Sequence, residues 1–134
     1  VANPDHPLAG AQELGLPDLA SSRWVVCWAN MPMRLLLEHE FYEHAIPFPA
    51  SPVETTSALS TLSLLQRDRS IVALLSIDLA KMFEKFVLVK LLPVKLRTKS
   101  ESYYLVTRRD RALTPAAELF IEEFRPVRVA APVV

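Results

Sequence analysis

Uninterrupted apolar runs alternate along the chain with stretches in which apolar side chains return every three or four positions, and this pattern predicts strands alternating with amphipathic helices. Residues 1–22 are dense in turn formers and read as loop. Arg23 to Trp28 is almost wholly apolar, as expected of a strand buried on both faces. Ala29-Asn30-Met31-Pro32 ends that strand and opens a helix reaching Ala45, with Asn30 as its expected cap. Leu36, Leu37 and Phe41 share one face of this helix, and Leu35 and Tyr42 widen it. Three prolines make Pro47 to Val53 an edge or short strand. Glu54-Thr55-Thr56-Ser57 offers caps to a helix carrying Leu59, Leu62 and Leu65. After the polar break Arg67-Asp68-Arg69-Ser70, Ile71 to Leu75 is another apolar strand. Ser76-Ile77-Asp78 caps a third helix with Leu79, Met82, Phe83 and Phe86 at helical spacing. Val87 to Leu92 and Val94 to Leu96 are strand-like on either side of Pro93.

A polar link, Arg97-Thr98-Lys99-Ser100, leads into the last elements. Ser102 to Arg108 is rich in aromatic and β-branched residues and suits a strand, broken by the charges of Arg109-Asp110-Arg111. The Thr114 hydroxyl then caps a helix whose first position, Pro115, has no N–H to leave unpaired. Ala117, Phe120, Ile121 and Phe124 form its apolar stripe, and Pro126 stops it. The order β-α-β-α-β-α-β with short connections predicts an α/β fold: a mostly parallel sheet flanked by helices.

Composition narrows the function. At 134 residues, half of them apolar, the chain suits one domain with a real core. Fifteen Lys and Arg balance fifteen Asp and Glu, so no general attraction to nucleic acid is expected. Only two glycines are present, which rules out both the dinucleotide and the P-loop fingerprints. The single Cys27 excludes an internal disulfide and reads as a small buried hydrophobe in a reducing compartment. No apolar run approaches the roughly 20 residues that span a membrane. No signal peptide is visible, and the start at Val1 rather than Met makes an excised fragment the expectation.

In an open α/β sheet, ligands bind beyond the carboxyl ends of the strands. Three such ends are expected at Trp28-Ala29-Asn30, Glu54-Thr55-Thr56-Ser57 and Ser76-Ile77-Asp78, each leading into a helix N-terminus. Hydroxyls and free N–H groups converging there suit a carboxylate or a polyhydroxylated molecule. His6, between prolines and without a second ligand at metal spacing, reads as a turn residue. His39 and His44 lie among Glu38, Glu40 and Glu43 and read as a solvated face. No metal site, cofactor or catalytic set is expected, and the chain is not expected to be an enzyme.

The sequence resembles the LysR-type transcriptional regulators. Tyr104-Leu105-Val106-Thr107-Arg108 through Leu113-Thr114-Pro115-Ala116-Ala117 is similar to the final strand and helix of that family. His6-Pro7-Leu8-Ala9 is similar to the tetrapeptide with which their effector domain enters its second subdomain, and Leu16-Pro17-Asp18-Leu19 to the turn before the next strand. The resemblance implies one lobe of a type 2 periplasmic-binding-protein-like fold. Residues 1–96 would be the second regulatory subdomain, and residues 97–134 a crossover strand and C-terminal helix returning to the first. It implies an inducer-sensing, oligomerising part of a bacterial regulator, with Trp28, Ala29, Asn30, Thr55, Thr56 and Ser76 lining this lobe's share of the inducer cleft. The helix Pro32–Ala45 and the strand Pro47–Val53 would face another subunit of a homodimer or tetramer. DNA would be reached only through an N-terminal domain that is missing here. The chain departs from the family where many relatives carry Gly-x-Gly: Asp68-Arg69-Ser70 stands there, and Ser76 replaces a proline. The segments Arg67–Ile71 and Tyr103–Arg111 resemble the subgroup controlling sugar-uptake genes. The competing readings are a lobe of an extracytoplasmic solute-binding protein, against which the free Cys27 and the absent signal favour a cytoplasmic protein, and an α/β enzyme or purely structural dimerisation module.

Overall fold

A computed structural model of the protein describes residues 1–98 and 104–124. These fall into two compact units, one within residues 1–100 and one within 101–134. In the first, a 3-10 turn (Leu16–Leu19) precedes β1 (Arg23–Val26), α1 (Pro32–Glu43), β2 (Val53–Glu54), α2 (Ala58–Arg67), β3 (Ile71–Ala73) and α3 (Ile77–Lys85). The strands form a parallel sheet in the order β2-β1-β3, so the chain crosses over β1 between β2 and β3. Val25 pairs with Val53 on one side and with Ala73 on the other. This is the α/β, parallel, helix-flanked fold that the apolar rhythm predicts.

The alternation of side chains along a strand decides which helix covers which face. Trp24 and Val26 of β1 and Val72 of β3 join Leu37 and Phe41 of α1 in one core cluster. Val25, Ile71 and Ala73 point the other way and meet Leu65 of α2 and Phe83 of α3. Both faces of the sheet are therefore buried. Aromatic edges organise the α1 side: Trp24 meets Phe41 edge-on at 5.4 Å, Phe41 meets Phe48 at 5.2 Å, and the Trp24 indole donates to the Leu19 carbonyl at 3.0 Å. The loop 1–15 is tied down as well. Ala2 exchanges backbone hydrogen bonds with Lys90, and the Asn3 amide donates to the Leu65 carbonyl at 2.8 Å. His6 is a turn residue, its Nδ1 accepting the Leu8 N–H at 3.1 Å. It is also buried, and that burial lowers its pKa.

Several elements are shorter than their sequence suggests, each for a local reason. β1 stops at Val26, two residues before Trp28. The turn Trp28–Met31 follows, with Asn30 in the left-handed region at φ 69°, so Met31 and not Asn30 occupies the cap of α1. The expected strand Pro47–Val53 is reduced to Val53–Glu54, because proline cannot donate to the ladder. β3 ends at Ala73 rather than Leu75. Val87 to Leu92 and Val94 to Leu96 form no strand. There, Leu88 N–H closes back on the Phe83 carbonyl at 3.0 Å with Val87 at φ 57°, the Gln66 amide takes the Leu88 carbonyl, and Glu84 takes the Leu91 N–H. Only isolated bridges remain, Lys90 with Ala2 and Val94 with Leu14. The break at residues 68–70 closes without glycine: the Asp68 carboxylate accepts from both the N–H and the hydroxyl of Ser70.

In the second unit, α4 (Pro115–Phe124) starts where the capping chemistry places it, with the Thr114 hydroxyl accepting the Ala117 N–H at 3.3 Å. Tyr104 to Arg108 are irregular rather than a strand, and residues 102 and 103 of that expectation lie outside the described residues. Arg108 holds Asp110 through two hydrogen bonds, which keeps the Asp110 carboxyl below its usual range. Pro126 also lies outside the described residues.

Candidate functional site

At the carboxyl ends of β1, β2 and β3 a cavity of about 130 Å³ opens, the position that a parallel sheet reserves for ligands. Cys27 contributes the wall after β1, Thr55 and Thr56 the wall after β2, and Leu75 and Ser76 the wall after β3; Met33 and Leu79 close it from α1 and α3. Most of this surface is apolar, its hydroxyls come from Thr55, Thr56, Thr61 and Ser76, and no charged side chain is in the lining.

The hydroxyls are not equivalent. Thr55 Oγ1 accepts the Ser57 N–H at 3.1 Å, and Thr61 Oγ1 donates to the Ser57 carbonyl at 3.1 Å. Ser57 caps α2 by accepting the Ser60 N–H at 3.2 Å. The hydroxyls of Thr56 and Ser76 have no intramolecular hydrogen-bond partner among the described residues. At the start of α3 the Ser76 carbonyl accepts the Ala80 N–H at 2.9 Å but its hydroxyl makes no cap bond, so both that hydroxyl and the positive end of the helix dipole are available to an incoming group.

The buried guanidinium of Arg34 lies just behind this wall. Its Nη1 donates to the Cys27 carbonyl at 3.3 Å and to Glu54 Oε1 at 3.0 Å, its Nε to Glu38 Oε1 at 2.6 Å, and its Cζ lies 4.4 Å from the centre of the Phe48 ring. Two carboxylates thus neutralise the one buried cation near the cavity. Burial raises the Cys27 pKa, only partly opposed by Arg34, which favours the thiol over the thiolate and slows its reactions. A larger cavity of about 250 Å³ lies against Trp24 and Val72 on the α1 side. Its side chains are aliphatic apart from Trp24, whose N–H is already bonded, so none of them offers recognition by hydrogen bonding.

The matched family model is the LysR substrate binding domain, and it covers residues 1–128. The chain belongs to the LysR substrate-binding domain family. A curated relative, a RuBisCO operon transcriptional regulator of Allochromatium vinosum, is 30% identical over 128 residues, which are 91% of this chain and 40% of that protein. The chain therefore spans about two fifths of the length of that relative. No solved structure matches it.

Within the LysR domain, Thr55, Thr56 and Ser76 line the cavity as the strand ends suggest. Trp28, Ala29 and Asn30 lie in the exposed turn after β1 and outside the cavity wall, because the strand stops two residues early; Trp28 is 58% exposed. Sequence reasoning missed Cys27 and Met33 as wall residues and Arg34 as the ion behind them. It also placed Glu40 on a solvated face, and the structure corrects this: Glu40 is 0% exposed. The signal was present, since Glu40 follows Leu37 by three positions and lies on its stripe. Among the described residues, no three His, Cys, Asp or Glu side chains gather as a metal site would require, and no helix is long and apolar enough to cross a membrane.

Proposed function

We propose that this domain is the small-molecule-sensing part of a transcriptional regulator, and that the cavity at the strand ends is this lobe's share of the inducer site. The observation that carries the reading is the pair of unpartnered hydroxyls, Thr56 and Ser76, in a mostly apolar cavity at two helix starts. Such a surface grips the hydroxyl or carboxylate end of a small ligand while Cys27, Met33 and Leu79 pack against its carbon skeleton. Membership of the family and the regulator relative support the same role, which is binding rather than catalysis. Trp28, Ala29 and Asn30 would contact the part of the ligand outside this cavity. In the whole regulator, α1 with its exposed Leu35 and Tyr42, together with the segment 47–53, would form a face toward a second subunit. DNA contact would belong to another domain of the protein, and the protein would work in the cytoplasm.

The test is thermal unfolding of the intact regulator against a panel of small carboxylates and sugars. At least one class should raise the Tm of the wild type, and Thr56→Val with Ser76→Ala should abolish that rise without lowering the unliganded Tm. A ligand that stabilises wild type and the double variant equally would place the site elsewhere.

A further inference from the structure

The buried stripe of α1 consists of Arg34, Leu37, Glu40 and Phe41, so two of its four buried side chains carry charge. Burying charge is costly, and apolar residues of similar volume would usually stabilise the same positions better. Each of these two side chains instead reaches out of the helix to a different piece of backbone. Arg34 holds the carbonyl of Cys27, which lines the cavity, and Glu54, the residue before the lining Thr55. Glu40, six residues and about 9 Å further along the helix, accepts the Thr98 N–H through Oε1. Its Oε2 has no hydrogen-bond partner and faces His44 Nδ1 at 3.9 Å. Thr98 is close to where the first unit ends. Leu37, between the two charges, and Phe41, next after Glu40, are both fully buried and fix the helix to the sheet.

We infer that Arg34 and Glu40 are positioning residues that make α1 a strut between the cavity edge and the segment where the chain leaves this unit. A shift of Cys27 and Glu54 on ligand entry would then be carried to residues 97–98 through a rigid helix rather than through the sheet. The regulatory meaning of this coupling rests on the reading of the cavity as an inducer site; the coupling itself is measurable without any ligand.

Cys27, the one cysteine of this domain, is the reporter. In the intact regulator its alkylation by iodoacetamide is followed at peptide level by mass spectrometry. Glu40→Ala should raise the Cys27 rate several-fold, although Glu40 bonds Thr98 and not Cys27. Glu40→Gln, which keeps an oxygen acceptor, should label nearly as slowly as wild type. Val89→Ala, a buried truncation on the opposite sheet face, controls for general loosening and should leave the rate unchanged. An unaltered rate in Glu40→Ala, or an equal rise in Val89→Ala, overturns the inference. If Glu40→Ala does not fold, the reciprocal experiment on wild type decides: N-ethylmaleimide on Cys27 should accelerate amide exchange at Arg97 and Thr98, and unchanged exchange there overturns it. A null ligand panel with a positive coupling result would refute the inducer site alone.

Discussion

The two faces of the central sheet are built differently. The face under α2 and α3 is a packing solution: Val25, Leu65, Ile71, Ala73, Phe83 and Val89 fill it, all of them apolar. The face under α1 mixes an aromatic chain, Trp24–Phe41–Phe48, with the buried ions Arg34 and Glu40, and these ions bond to backbone at the cavity edge and at the unit's exit. Hydrophobic contacts hold a helix against a sheet without fixing its sliding or rotation closely, because they are non-directional. Directed hydrogen bonds from buried charges fix both. The α1 face therefore appears in the structure as the one that sets positions, and the α2/α3 face as the one that supplies cohesion.

The contrast can be broken most directly at Phe41, which is 1% exposed at the middle of the aromatic chain. Phe41→Ala should cost about 3–5 kcal/mol of unfolding free energy in a urea titration, the range of large-to-small changes at a buried aromatic. A loss under 1 kcal/mol would show that the aromatic chain is not the anchor of that face. Arg34→Met comes next. It leaves Glu38 and Glu54 without their cation, but both are partly exposed and can be hydrated, so the loss should be about 1–2 kcal/mol. Double-mutant comparison with Glu54→Gln should show that a good part of this loss is shared. On the other face, Val87 ends α3 in the left-handed region while its side chain is 74% exposed. A β-branched residue is strained there and little packing is at stake, so Val87→Gly should stabilise by about 1 kcal/mol. A destabilised Val87→Gly would mean that this turn is held by the valine side chain.

The smallest effect concerns acid. Burial alone would raise the Glu40 pKa, but hydrogen bonds from Thr98 and Arg97 outweigh it and hold the carboxyl below its ordinary 4.5. Its ionised form therefore contributes stability that is complete above that value and is lost as pH falls through the lowered folded pKa. Glu40→Gln removes this titration, so its stability should fall less steeply than that of wild type below about pH 4.5. Parallel slopes in the two acid titrations would count against a structured carboxylate at this position.

Much of this fold was legible from side-chain rhythm. The runs at Arg23 and Ile71 became β1 and β3 because continuous apolar sequence suits strands covered on both sides, and α2 and α3 turn Leu62, Leu65, Leu79 and Phe83 to the core while Leu59, Met82 and Phe86 of the expected stripes are exposed. The Thr114-Pro115 start of α4 followed from capping chemistry alone. Boundaries were less legible. Nothing local marks Val26 as the end of β1, since Cys27 and Trp28 continue the apolar run; the strand ends where its neighbour β2 has no further paired residue. The segment Val87 to Leu92 has strand composition, but a left-handed helix end and side-chain bonds from Gln66 and Glu84 occupy its backbone instead. At the candidate site, Thr55, Thr56 and Ser76 could be read from helix starts, whereas Cys27, Met33 and Arg34 reach the cavity region through tertiary packing that no spacing rule encodes.

The brevity of β2 has a consequence for how this chain survives in a crowded solution. An open sheet edge is a template onto which foreign strands can add, and β2 is the outer strand on its side of the sheet. With only Val53 and Glu54 paired, and Pro47, Pro49 and Pro52 just before them, that edge offers an incoming strand too few consecutive N–H groups to grow upon. The same prolines that blur the element in the sequence thus protect the folded protein from edge-to-edge aggregation.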